Sequence, residues 1–162
     1  MNRTLSFSWS DPASLAAAGR TLPGLAFLRA IRDGRLAPPP IAQLLGMRLT
    51  VVEAGEAVFE CTPGEQHYNP IGVVHGGLAM TLLDSAMTCA VQTRAPAGGG
   101  FTTVEAKTNF VRPITASTGV IRAMAKVLHI GSRLATAEGR IVDAAGKLYA
   151  HATTTCIVLN GG

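Results

Sequence analysis

Residues 77–95, GLAMTLLDSAMTCAVQTRA, read as one helix of about seventeen residues. After Gly77 the run has no glycine and no proline, and it is rich in the good helix formers Leu, Met and Ala. Leu78, Leu82, Ser85, Ala86 and Cys89 fall on one stripe, yet the helix is apolar nearly all round. Such a helix belongs inside a structure, covered by other elements, and not on its surface. One residue opposes this. Asp84 is a poor mid-helix residue and costly to bury unpaired. It is either satisfied by a hydrogen-bond network or kept for chemistry. A buried carboxylate has a raised pKa, which suits base or nucleophile work.

The preceding residues, HYNPIGVVHGG from His67 to Gly77, lead into the helix. The first turn of a helix presents unpaired backbone N–H groups and the positive end of the dipole. Glycine there lets a substrate come close. This is oxyanion-hole geometry, with the Gly76 N–H aimed at a carbonyl oxygen that gains charge. A tight loop-to-helix turn would use Gly76 and Gly77 equally well. Asp84 lies eight residues after Gly76, about 12 Å along a helix axis. One carbonyl does not reach both groups of one helix. If both act on it, they come from two chains whose helices pack antiparallel. The expectation is an obligate dimer with active sites at the interface.

Further out, strands flank the helix. MRLTVVEAGEAVFECTP (47–63) reads as two short strands around a turn at Ala54-Gly55. After the helix and the loop APAGGG, Val104, Ala106, Thr108 and Phe110 alternate with Glu105, Lys107 and Asn109, up to Pro113. Three more strand-like runs follow, STGVIRAMAKVLHIG, RLATAEGRIVD and KLYAHATTTCIVL, the last two joined by the hairpin turn DAAG. Two strands, one long apolar helix and four strands argue for an α+β antiparallel sheet wrapped around a central helix. Residues 1–40 read as an N-terminal helical extension with a Pro-rich linker, and residues 41–162 as the main domain. In the extension, Pro23 and Gly34 bracket GLAFLRAIRDG, with Leu25, Leu28 and Ile31 spaced at three. Pro38, Pro39 and Pro40 stiffen the connection to a helical turn, IAQLL, before Gly46.

The 162 residues suit one domain. Charged residues make up 15% of the chain, below the roughly 25% of ordinary globular domains, which suggests surface hidden in an oligomer. The net charge is +4 with scattered Lys and Arg, too diffuse for a nucleic-acid patch but compatible with an anionic small molecule. Cys61, Cys89 and Cys156 show no paired spacing and read as reduced thiols. The opening MNRTLSFSWSD has no apolar run for a signal peptide, and His75 and Asp84 interrupt the most apolar stretch. The expectation is a soluble, cytoplasmic protein with no membrane partner.

The constellation HxxNxxGxxHGG, followed by Leu82 or Leu83 and Asp84, resembles the signature of hotdog-fold acyl-CoA thioesterases of the phenylacetate-degradation (PaaI) type. The resemblance continues through TTVEAKTNFVRP and covers about residues 41 to 159. It implies a hotdog fold and hydrolysis of acyl-CoA to acid and CoA, in a homodimer or a homotetramer made of two dimers. It implies that Gly76 supplies the oxyanion N–H. Asp84, from the partner chain, is nucleophile or general base. Asn69 places the water or the thioester, and His75 supports the oxyanion loop. Thr103 helps hold the attacking water, with Thr102 as the alternative register. His67 and Gly77 match the substrate-binding pattern. Arg112, Arg133 and Lys107 are the basic side chains that could meet the CoA nucleotide. No cofactor is implied, since CoA is part of the substrate.

Other constellations are weaker. His67, His75, His129 and His151 lack metal-ligand spacing. No GxSxG elbow and no P-loop is present, and nothing beside Cys89 in sequence marks an activating base. Two alternatives to hydrolysis remain. One is a hotdog dehydratase or hydratase pairing His67 with Asp84. The other is a non-catalytic acyl-CoA-binding protein using the same pocket.

Overall fold

A computed structural model describes residues 2–159. Gly55 closes the first hairpin in the left-handed region, with φ of 86°, a conformation that costs glycine little. That turn joins β1 (Met47–Glu53) to β2 (Glu56–Cys61). The central helix, α4, runs from Gly76 to Gln92, seventeen residues as expected, but starts one residue earlier and ends three residues earlier than the run 77–95. Then come β3 (Gly100–Phe110), β4 (Ile121–Ile130), β5 (Leu134–Val142) and β6 (Leu148–Leu159). The six strands form one antiparallel sheet in the order β1-β2-β4-β5-β6-β3. In the turn from β5 to β6, Asp143 Oδ1 accepts from the Ala145 and Lys147 N–H groups, both at 2.9 Å.

Helix α4 packs against all six strands. Leu82, Leu83, Ala86, Met87, Ala90 and Val91 have no exposed surface. This is the hotdog arrangement, and the sequence explains the close approach. Gly139 of β5 lies under the helix, where an added Cβ would sit 3.0 Å from Met87 Cγ and 3.2 Å from Leu83 Cδ2. The expected stripe is only partly the buried one. Leu78, Leu82 and Ala86 are buried, whereas Ser85 and Cys89 are half-buried, beside the half-buried Asp84 and Thr88. The sheet covers most of α4 and leaves this one strip uncovered.

The N-terminal residues carry three helices: α1 (Pro12–Thr21), α2 (Gly24–Arg32) and α3 (Pro40–Leu45). Helix α1 was not anticipated. Its signal is Asp11 before Pro12: the Asp11 side chain accepts from the Ala13 N–H at 2.9 Å, and proline stands at the first helical position. Helix α2 is docked on the domain. Leu28 and Ala30 are buried, and Arg29 Nε donates to the Val52 carbonyl at 3.2 Å. Gly24 donates to the Ala95 carbonyl at 3.0 Å, so closely that a Cβ there would lie 1.7 Å from the Gln92 carbonyl oxygen. Pro39 and Pro40 do more than stiffen a linker, since they cap and open α3.

Strand β3 forms one edge of the sheet. Its alternating residues do not divide into a buried and an exposed face: no residue of the strand is buried, and Val104 is 55% and Phe110 53% exposed. A bulge at Val104 interrupts its pairing with β6, between Thr103 and Glu105.

Candidate active site

The loop before α4 is tied down residue by residue. Asn69 Oδ1 accepts from the N–H groups of Ile71 (3.1 Å) and Val73 (3.3 Å), which closes a tight turn around Gly72. The Tyr68 hydroxyl accepts from the Ala116 N–H at 2.9 Å, and Val74 donates to the Ile114 carbonyl at 2.9 Å. His75 donates its backbone N–H to the His67 carbonyl at 2.8 Å. The His75 ring then turns back, and its Nδ1 accepts from the Gly77 N–H at 2.8 Å, a side-chain cap. Leu78 donates to the His75 carbonyl at 3.0 Å. Among the described residues, the Gly76 N–H has no acceptor. It opens on a cleft of about 470 Å³ lined by Val74, His75, Phe110, Arg112 and Tyr149. The Phe110 ring lies over Gly76, and an added Cβ would be 3.0 Å from Phe110 Cζ.

Asp84 faces a second cleft, of about 480 Å³, lined also by Ser85, Thr88, Thr102 and Thr103. Thr103 Oγ1 donates to Asp84 Oδ1 at 2.7 Å. Thr88 Oγ1 lies 2.7 Å from Thr103 Oγ1 and 3.4 Å from Asp84 Oδ1. A hydroxyl has one proton to give. With the Thr103 proton on Asp84, Thr88 donates to Thr103, and the two threonines form a short chain ending on the carboxylate. Thus a network satisfies one oxygen of Asp84 in a half-buried position that still meets the cleft.

The two clefts share no lining residue. Within one chain, Gly76 and Asp84 therefore belong to separate surfaces, as their spacing on α4 requires. The loop joins Asn69, His67, His75, Gly76 and Gly77, while α4 and β3 join Asp84 to Thr103. Thr102 lines the Asp84 cleft but makes no hydrogen bond to Asp84 among the described residues. The His67 ring accepts from the Gly64 N–H at 3.1 Å, and burial lowers its pKa. Arg112 lines the Gly76 cleft and donates from Nη1 to the Leu148 carbonyl at 2.5 Å. Arg133, in the turn between β4 and β5, and Lys107, on β3, line neither cleft. Burial, and then the Asp84 carboxylate, push the Cys89 thiol up to about 12, so it stays protonated at neutral pH and is a poor nucleophile.

Two residues escaped the sequence reading. Thr88 stands four positions after Asp84, one helical turn on, and that spacing was a usable signal. Phe110 carried no such signal, because its place over Gly76 depends on how β3 passes the helix N-terminus.

Known proteins carry the same core. The thioesterase superfamily profile matches residues 71–150. Human acyl-coenzyme A thioesterase 13 is 31% identical over 111 residues, which cover 67% of this chain and 78% of that one. The 1,4-dihydroxy-2-naphthoyl-CoA hydrolase of Listeria monocytogenes is 25% identical over 118 residues, 73% of this chain and 94% of that one. The PaaI protein of the E. coli phenylacetic acid degradation operon superposes with a TM-score of 0.74 at 25% identity, covering 87% of this chain and 98% of that one. With a 31% identical relative covered over 78% of its length, a matching profile and a superposing fold, the chain belongs to the thioesterase superfamily and is a thioester hydrolase with the hotdog fold.

Proposed function

We propose that this protein hydrolyses acyl-CoA thioesters to a free acid and CoA, at sites shared between two copies of the chain. The observation that carries the proposal is the separation of an unoccupied helix-N-terminal N–H, at Gly76, from an oriented carboxylate, at Asp84, on two clefts with no common residue. In the assembled site the Gly76 N–H donates to the thioester carbonyl oxygen. Asp84 of the partner subunit takes a proton from water, which attacks the carbonyl carbon, or attacks that carbon itself. The oxyanion of the tetrahedral intermediate rests on the Gly76 N–H. Collapse breaks the C–S bond and releases CoA as the thiol or thiolate. Direct attack passes through an anhydride that water then opens. Thr103 and Thr88 hold the carboxylate in its attacking orientation, and His75 fixes the first turn by holding Gly77.

The exposed edge of β3, with Val104 and Phe110 uncovered and Val111 exposed just beyond it, favours the dimer. Long apolar edges are ordinarily paired or covered. Arg112 lines the Gly76 cleft, and this supports its reading as a contact for a CoA phosphate. Three unbridged cysteines fit a cytoplasmic setting, and no helix among the described residues is long and apolar enough to cross a membrane. The hydration alternative pairs His67 with Asp84, but His67 lines neither the Gly76 cleft nor the Asp84 cleft, and its ring Nδ1 accepts from the Gly64 N–H.

Complementation tests the shared site. Asp84→Asn and Gly76→Pro chains are prepared separately, then mixed, unfolded and refolded together. Neither alone hydrolyses acyl-CoA esters at more than a small fraction of the native rate. The mixture regains activity, because each heterodimer holds one intact pair. If the mixture is as inactive as its parents, the shared site is wrong.

A further inference from the structure

The Asp84 cleft does not end at the carboxylate. It adjoins a second cavity, of about 620 Å³, between the N-terminal helices, β1 and β2. The two share Pro39, Ala42, Met47, Phe59 and Cys89 as common walls. Beyond this junction the cavity continues under α2 and reaches α1, where Phe27, Ile31 and Leu15 line it. Its charged lining residues are Arg32 and Arg48, and each is already paired, with Asp33 and Glu60 respectively. Hence no lining cation awaits an anionic group at the end of a ligand. A space of this size accommodates a substantial organic group, and an acetyl group would leave most of it empty.

We infer that this cavity takes the acyl part of the substrate, and that the acyl group is uncharged, apolar and much larger than acetyl. The inference rests on the proposed hydrolysis at Asp84. The thioester carbon lies in the Asp84 cleft, the CoA part leaves past the partner's Gly76, and the acyl group passes Ala42 into the space beneath α2. The N-terminal helices thereby become the acyl-size gauge of the enzyme. Ala42 stands where the two spaces meet, and Leu15 of α1 lines the cavity but not the Asp84 cleft.

The test uses non-hydrolysable thioethers, S-alkyl-CoA from ethyl to dodecyl, with S-(2-phenylethyl)-CoA as the aryl probe. Dissociation constants are measured by calorimetry on the full chain. Affinity is expected to rise about fourfold per added methylene, until the cavity is full. The aryl probe is expected to bind more tightly than the ethyl thioether. Ala42→Phe obstructs the junction and collapses the dodecyl-to-ethyl affinity ratio. Leu15→Trp, on an exposed helix where folding is not at risk, moves the plateau to a shorter chain. Equal affinity for ethyl and dodecyl thioethers in the native protein overturns the inference. So does an unaltered ratio in folded Ala42→Phe together with an unaltered plateau in Leu15→Trp. Hydrolysis of acyl-CoA esters is followed in parallel by thiol release. Chain-dependent binding without hydrolysis removes the proposed function and leaves the cavity assignment standing. Hydrolysis dependent on Asp84 with flat binding does the reverse.

Discussion

Asp84 is held by one short hydroxyl donor, with a second hydroxyl supporting the first. Its replacement therefore separates charge from geometry. Asp84→Asn keeps the shape and removes the base, and acyl-CoA hydrolysis should fall about a hundredfold to ten-thousandfold. A loss within about tenfold, read by thiol release, would remove Asp84 from the chemistry. Thr103→Ala deletes the donor to a charged group, so kcat is expected to drop about tenfold to a hundredfold with KM nearly constant. Thr103→Ser should restore most of that loss, since serine supplies the same hydroxyl. Failure of serine to rescue would point to packing in place of orientation. Gly76→Pro tests the other half of the site. Proline is tolerated at the first helical position, and His75 already has the extended backbone that a residue before proline requires. The exposed Phe110 ring can shift to admit the added carbons. The N–H is then lost with the helix intact, and kcat should fall about a hundredfold to a thousandfold while circular dichroism stays unchanged.

At the scale of elements, α4 was readable because its evidence is local. An unbroken run of helix formers, two glycines at the start and apolar residues all round need no knowledge of the rest of the chain. Its Asp84 stood out for the same reason. Strand β3 was readable as a strand, but the fate of its faces was not. Alternation reports which residues share a face, while coverage depends on position in the sheet, and β3 lies at the edge. The wide buried side of α4 likewise depended on which strands reach it. Gly139 shows how close that packing is. Gly139→Val would push a branched side chain into Met87 and Leu83, and a loss of about 1–3 kcal/mol is expected in urea unfolding. An unchanged midpoint would mean that the helix and sheet can move apart freely at this point.

At the scale of the whole molecule, the proposed two-chain site would make association a condition of activity. Specific activity should decline on dilution in step with dissociation, followed by sedimentation. A fully active monomer would contradict the two-chain site. The thiols give the molecule an alkaline limit. Burial raises Cys61 to about 11, and burial with Asp84 raises Cys89 to about 12, from an ordinary 9.0. Between those values the unfolded chain releases the thiol protons and the folded chain keeps them. The unfolded state then binds fewer protons, so stability falls as pH rises above about 9. Below that pH both states keep the thiols protonated and the effect is absent. Replacing Cys61 and Cys89 with alanine should flatten the alkaline decline in Tm, whatever its effect at neutral pH.

What the sequence by itself determined was everything carried by neighbours along the chain: the central helix, the strand runs on either side of it, the glycines at its start and the out-of-place carboxylate within it. From the rise of a helix alone, it also determined that Gly76 and Asp84 of one chain could not serve one carbonyl. Only the tertiary structure decided what depends on distant segments meeting. It chose Thr103 over Thr102 as the hydroxyl on Asp84, because strand register and the bulge at Val104 set which side chain turns toward α4. It laid Phe110 over Gly76, and it folded α2 and α3 onto β1 to form a cavity beside the carboxylate. Such contacts arise when the chain closes on itself over many intervening residues, and no local pattern encodes the closure.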